Sequence, residues 1–192
     1  MKTKFASLVG MALLSTTVYA ENMYVAVDAG QSKAADACTG IPAGVSCKNT
    51  GTAARIAGGY NFNTNFGLEA SYTDYGKGSM SGTVLGFPVT GSFSTTAVQL
   101  AGVGMLPLND SFSLTAKLGW ASASVKASAA VGPVAASATS TNNNAVWGIG
   151  AQYNLTPTIG LRLNYEDLGK VGNAQTGKSK LTAVTGGVVV KF

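Results

Sequence analysis

Histidine is absent from the 192 residues, which removes the commonest general base and the commonest metal ligand together. Carboxylates, lysines, tyrosines and two cysteines make up the remaining reactive inventory, and no Ser-His-Asp, paired-carboxylate, phosphate-loop or zinc pattern appears among them. A protein that is not an enzyme and holds no cofactor and no metal is expected. Charge is also scarce: Asp, Glu, Lys and Arg make up 11% of the chain, against about 25% in soluble globular domains. Long apolar runs are missing too. Beyond the N-terminal segment none approaches the roughly 18 apolar residues that a spanning helix needs, which excludes a helical membrane bundle.

That segment, residues 1–20, opens with Lys2 and Lys4, continues through a short apolar stretch and ends in Val18-Tyr19-Ala20. The pattern is that of a secretory signal peptide, so the mature chain is expected to start at Glu21, with 21–192 forming one domain. Loss of the two lysines lowers the formal charge of +5 by two, and the other basic residues are scattered along the chain. A nucleic-acid partner is therefore not expected. Cys38 and Cys47 share one short segment, and an exported chain meets oxidising conditions, so a local disulfide is expected.

Period-two alternation runs through the mature chain and predicts eight strands. Tyr24, Ala26 and Asp28 alternate with Val25, Val27 and Ala29; Arg55 and Ala57 with Ile56 and Gly58; Glu69, Ser71 and Thr73 with Leu68, Ala70 and Tyr72. Lys117 opposes Leu118 and Trp120, Gln152 opposes Ala151 and Tyr153, and Arg162 and Glu166 oppose Leu161, Leu163 and Tyr165. The eighth strand closes the chain through Val184, Val188, Val190 and Phe192. The fourth, over 96–106, is the least regular, because Val98 and Leu100 fall in the opposite phase to Val103 and Met105. Throughout, charges share a face with Gly, Ala and Ser, while large apolar and aromatic residues take the other. A water-soluble barrel would be arranged the other way round, so hydrocarbon is the expected outer solvent.

Connections alternate in length. Tight links are predicted at 61–65, 107–110 and 156–158, and long Gly-, Ser-, Thr-, Lys- and Asn-rich links after the first, third, fifth and seventh strands. All five prolines, Pro42, Pro88, Pro107, Pro133 and Pro157, are assigned to links. Outward aromatics sort into two girdles, with Tyr60, Phe66, Phe112, Tyr153 and Phe192 near the tight turns and Tyr72, Trp120, Trp147 and Tyr165 near the long links. From Phe112 to Trp120 a strand tilted by about 40° rises roughly 20 Å, close to the apolar band of an outer-membrane barrel. The expected fold is all-β: an eight-stranded antiparallel up-and-down transmembrane β-barrel in the outer membrane of a Gram-negative cell, in contact with its lipids. Two long links, around 131–133 and around 86–88, read either as hairpins prolonging their strands, able to bind a partner by edge addition, or as flexible loops.

Eight strands enclose a lumen that side chains fill. Asp28, Arg55, Glu69, Lys117, Arg162 and Glu166, with Gln152 among them, are expected to form a lumenal charge network centred on Glu69 with Arg162 or Lys117, because buried charges persist when paired. The network reads first as a structural plug and alternatively as a gate. Asp167, beside Glu166 at a strand end, is expected to be a solvated loop carboxylate.

The segments TNFGLEASY at 64–72, VQLAGVGMLPLNDSFSLTAKLGW at 98–120, WGIGAQYNLTPTIGLRLNYE at 147–166 and the terminal VVVKF resemble the OmpA-like transmembrane domain family of small outer-membrane barrels. The resemblance implies periplasmic termini and a final Phe192 that is recognised by the outer-membrane assembly machinery. It also implies a lumenal pair of Glu69 with Arg162. The family's alternative Lys falls on Val103 here, and its acidic partner on the sixth strand is Gln152. The peptidoglycan-binding domain that follows the barrel in full-length members is not expected. The function read from all this is a structural or adhesion-like surface-interaction role, with four extracellular loops offered to a surface ligand. The alternative is a narrow porin-like channel or small-solute conduit with a Glu69/Arg162 gate.

Overall fold

The computed structural model describes residues 22–40, 44–84, 87–132 and 134–192; the expected signal peptide lies outside them. Nine strands follow one another without an intervening helix among the described residues: β1 (Met23–Ala34), β2 (Val45–Lys48), β3 (Thr50–Asn61), β4 (Phe66–Val84), β5 (Phe87–Pro107), β6 (Phe112–Val131), β7 (Val134–Asn154), β8 (Ile159–Val171) and β9 (Ser179–Lys191). Every neighbouring pair is antiparallel. β1 pairs with both β3 and β9, and the β4–β5 pairing completes the ring. β2 is not a stave, since it pairs only with Ser79–Gly82 of β4, above the ring. Eight staves thus form a closed barrel.

Alternation sets the two surfaces. Along β1 Tyr24, Ala26 and Asp28 are buried while Val27 is 60% exposed, and along β6 Leu118 is 70% exposed beside half-buried Lys117. Exposed Ile56, Leu100, Ile149 and Leu163 continue a belt around the cylinder that no soluble monomer presents to water. Trp147 and Tyr165 pack at the loop-side rim with tilted rings whose centroids are 5.8 Å apart, and Tyr60 packs edge-on against Phe62 at the turn side.

The three tight turns share one design. After β3, β5 and β7 the first two turn N–H groups, of Phe62 and Asn63, Leu108 and Asn109, and Leu155 and Thr156, donate to the carbonyl that opens the next strand. Asn63 Oδ1 then accepts from the N–H of Asn65 and Phe66, Asn109 Oδ1 from Ser111 and Phe112, and Thr156 Oγ1 from Ile159. The side chain thereby satisfies donors that the turn would leave unpaired.

One open reading closes and two expectations change. Of the two readings of the long links, hairpins are what form: β4 and β5 stay paired up to Val84 and Phe87, and β6 and β7 up to Val131 and Val134. Pro88 and Pro107 accordingly lie in β5 and not in links, near its two ends, where a missing N–H is tolerated; the Pro88 carbonyl accepts from Gly132 N–H at 3.1 Å. Pro42 and Pro133 lie outside the described residues. Finally, β5 keeps its register past Val98 and Leu100, so Val103 and Met105 point into the lumen.

Candidate functional site: the lumenal charge layer

Six staves contribute to one layer of ionised and hydrogen-bonding side chains across the bore. Arg162 of β8 holds Asp28 of β1 through two bonds, Nε to Oδ1 at 2.7 Å and Nη2 to Oδ2 at 2.5 Å, and reaches Glu69 Oε2 with Nη1 at 2.8 Å. Arg55 of β3 bridges the two central carboxylates, donating through Nη2 to Glu69 and through Nη1 to Glu166. Lys117 of β6 forms an ion pair with Glu166 and lies 3.9 Å from Glu69. The Tyr24 hydroxyl donates to Glu69 at 3.0 Å, Tyr75 to Glu166 at 3.4 Å, and Gln99 Nε2 to the Tyr75 hydroxyl at 2.6 Å. Three cations meet three carboxylates, so the layer is neutral, as charges withdrawn from water require.

Small inward residues make room for these side chains. A Cβ on Gly59 would overlap the Tyr24 ring, one on Gly148 would press on the Lys117 stem, and one on Gly187 would press on Asp28. Each long side chain lies across the bare backbone of its cross-strand partner. Gly59→Ala is therefore expected to displace Tyr24 from Glu69 and cost about 1–3 kcal/mol through overpacking, measured as a lower urea midpoint for the barrel in lipid vesicles.

Six of the seven residues expected in the network meet in it, and Gln152 does not. It lies opposite Arg162 on β7, but its Nε2 donates to Asn154 at 2.9 Å, because Arg162 has already committed its donors to Asp28 and Glu69. Asp167, expected to be solvated, is 3% exposed: Oδ1 accepts from Gly169 N–H at 2.8 Å, and Oδ2 meets Lys180 at 2.9 Å where β8 departs from regular pairing. Tyr24, Tyr75 and Gln99 went unassigned in the sequence. Gln99 carries a legible sign, a polar residue at the inward phase between Val98 and Leu100. Lys117 is the directly opposed partner of Val103, so the lysine missing from that strand is supplied by its neighbour at the same level.

The layer divides the bore. Below it a vestibule of about 540 Å³ is lined by Asn61, Asn154, Gln152, Lys191, Val103 and Met105. Above it Val125, Val146, Leu168, Val171 and Leu181 form a buried apolar tier under a cup of about 450 Å³ that opens between the hairpins. Cys38 and Cys47 are joined in a disulfide in the first loop. Phe192 lies at the turn-side rim, 49% exposed, its N–H bonded to the Met23 carbonyl at 3.0 Å. Among the described residues no group of three or more Cys, Asp or Glu is placed to hold a metal ion.

Comparison with solved structures finds the same architecture in small outer-membrane barrels. Ail, the attachment invasion locus protein of Yersinia pestis, superposes with a TM-score of 0.59 at 18% identity, covering 90% of this chain and 99% of Ail. Ail in complex with the heparin analogue sucrose octasulfate superposes at 0.54, 16% identical over 89% of this chain and 99% of that one. Neisserial surface protein A gives 0.56 at 18% identity, with 88% and 97% covered. A search of curated proteins found no match. The family model of the OmpA-like transmembrane domain matches residues 19–192, so this chain, a closed barrel with an apolar exterior and a charged bore, belongs to the OmpA-like transmembrane domain family of outer-membrane β-barrels.

Proposed function

We propose that the barrel is a non-enzymatic surface-interaction protein that captures a partner at the sheet standing above the membrane. One observation carries this reading. β7 pairs with β8 only from Trp147 to Asn154, so its upper half pairs with β6 on one side and leaves its other edge open. Among the described residues Asn144 alone bridges the gap by side-chain hydrogen bonds, donating through Nδ2 to the carbonyls of Leu168 and Lys170. Residues 134–143, VAASATSTNN, carry no charge and no proline, the usual devices that guard an edge. At about 3.3 Å per residue and a tilt near 40° the edge reaches roughly 30 Å beyond Trp147. The opposite edge of the same sheet is covered by β2. An edge of this kind accepts an extended segment by strand addition.

Charge supports a partner of negative sign. Exposed Lys33, Lys48, Lys77, Lys126, Lys170, Lys178 and Lys180 all lie at the loop end, against Asp36, Asp74 and Asp167. Residues scattered in sequence are thus gathered by topology, and the solved complex of Ail with a sulfated sugar is in keeping with such a surface. In this reading Phe192 is the signal that delivers the chain to the assembly machinery, and the outer-membrane lipids surround the apolar belt. The double variant Thr139→Glu/Thr141→Glu places negative charge along the open edge. Cells displaying it are expected to lose most of their binding to an immobilised extracellular matrix, while the barrel still migrates faster unboiled than boiled in detergent gels. Undiminished binding would reject the edge as the site.

A second reading, a narrow conduit, draws on Lys117, which lies beside both Glu69 and Glu166 and so has an alternative partner to hand. Glu69→Ala would then change single-channel conductance in a planar bilayer. A silent bilayer ends it.

A further inference from the structure

The cup above the apolar tier is a separate feature from the β7 edge. Its floor is made by Tyr75, Val125, Val171 and Leu181, each 5% exposed or less, and the charge layer below closes it to the periplasmic side. It is therefore a blind recess that opens outward, not the mouth of a pore. Its 450 Å³ falls within the span of about 300–1,000 Å³ typical of small-molecule sites.

The recess is kept open by the way its own residues pack. Phe93 lines it without filling it: the end of the ring lies in the space that a Cβ on Gly78 would occupy, against β4. Ser32 donates to the Tyr75 carbonyl and ties that strand to β1, holding the floor in place. On the β1 side the wall is formed by Ala37 and Thr39, which flank Cys38 and are held by its bond to Cys47. Among the described residues the charged members of the wall are Asp36 and Lys178, both exposed at the rim, and Asp36 is already engaged by the N–H of Lys180 at 3.2 Å. An apolar floor, hydroxyl-bearing walls and no available interior charge select against ions.

We infer that this cup binds a small uncharged molecule with an apolar body, taken from the extracellular side. The inference does not use the β7 edge, and each stands if the other fails. The test uses the whole barrel in phosphatidylcholine nanodiscs, with para-fluorophenol as the neutral probe and para-fluorobenzoate as its anionic counterpart, followed by fluorine NMR. Partition into lipid grows linearly with probe, and empty nanodiscs measure it. The protein is expected to add a saturable component, about millimolar for so small a probe, with the benzoate at least tenfold weaker. Ala127 and Ala138 face each other across β6 and β7 and both line the cup. Ala138→Trp, and separately Ala127→Trp, obstruct the space and are expected to abolish saturation, whereas Ala145→Trp, exposed on the other face of β7, retains it. The proposal is overturned by no saturation beyond empty nanodiscs, by saturation that survives both filling variants, or by benzoate binding as tightly as phenol.

Discussion

Arg55→Ala is expected to lower the barrel's unfolding free energy by about 3–5 kcal/mol, the cost of leaving a buried charge without its partner. Arg55 is 1% exposed at its side chain and, among the described residues, is the only group that holds Glu69 and Glu166 through guanidinium nitrogens at the same time. Without it three carboxylates face two cations, and Arg162 is already engaged with Asp28. Lys117 is then the one cation left to Glu166 among the described residues. Urea unfolding in phosphatidylcholine vesicles, followed by tryptophan fluorescence, measures the loss. Arg55→Met/Glu166→Gln returns the layer to equal numbers of each sign and should recover most of it, which separates charge imbalance from lost volume. Gln152→Ala, outside the layer, should change stability by less than about 1 kcal/mol. A loss below 1 kcal/mol for Arg55→Ala would mean that water, rather than protein, solvates these carboxylates.

Sequence periodicity alone specifies most of the cylinder, because inside and outside differ in solvent and each stave records that difference every second residue. Val27 beside Asp28 and Leu161 beside Arg162 need no tertiary knowledge. Two things escape such a reading. The first is any change of phase. Pairing shifts between Asp74 and Lys77 on β4 and between Asp167 and Lys170 on β8, near Gly76 (φ 77°) and Gly169 (φ 65°). Beyond those points alternation restarts with a different origin, so Val171, which turns inward out of phase with Arg162 and Glu166, gives no sign in the sequence of the apolar tier it shares with Leu168 and Leu181. The second is the identity of partners across the bore. Arg55 is directly opposite Thr73, and Glu69 is opposite Gly59, so their contact depends on the tilt of the staves rather than on register alone. Lys117 replacing a lysine at Val103 is the same difficulty: the side chain that fills a level of the lumen can come from either of two neighbouring strands.

Ile149→Arg separates a membrane-spanning exterior from a merely apolar one. Ile149 is 57% exposed on the outer face of β7, between Trp147 at the loop-side girdle and Tyr153 at the turn side, which places it near the middle of the apolar belt. A guanidinium there must be stripped of water or drag it inward, and the penalty for Arg on the lipid face is about 2–4 kcal/mol at the bilayer midplane, falling to about 0–1 near the interfaces. Thr141→Arg makes the same addition to the same strand, exposed above the upper girdle, and should shift stability by no more than about 0.5 kcal/mol. Both are read from urea unfolding in lipid vesicles, where refolding yield gives a second measure. In detergent, whose thinner and softer belt lets a long cation reach water, the penalty for Ile149→Arg should shrink while that for Thr141→Arg stays near zero. Equal effects of the two variants in vesicles would place Ile149 in water and remove the basis for reading the outer face of these strands as lipid-facing.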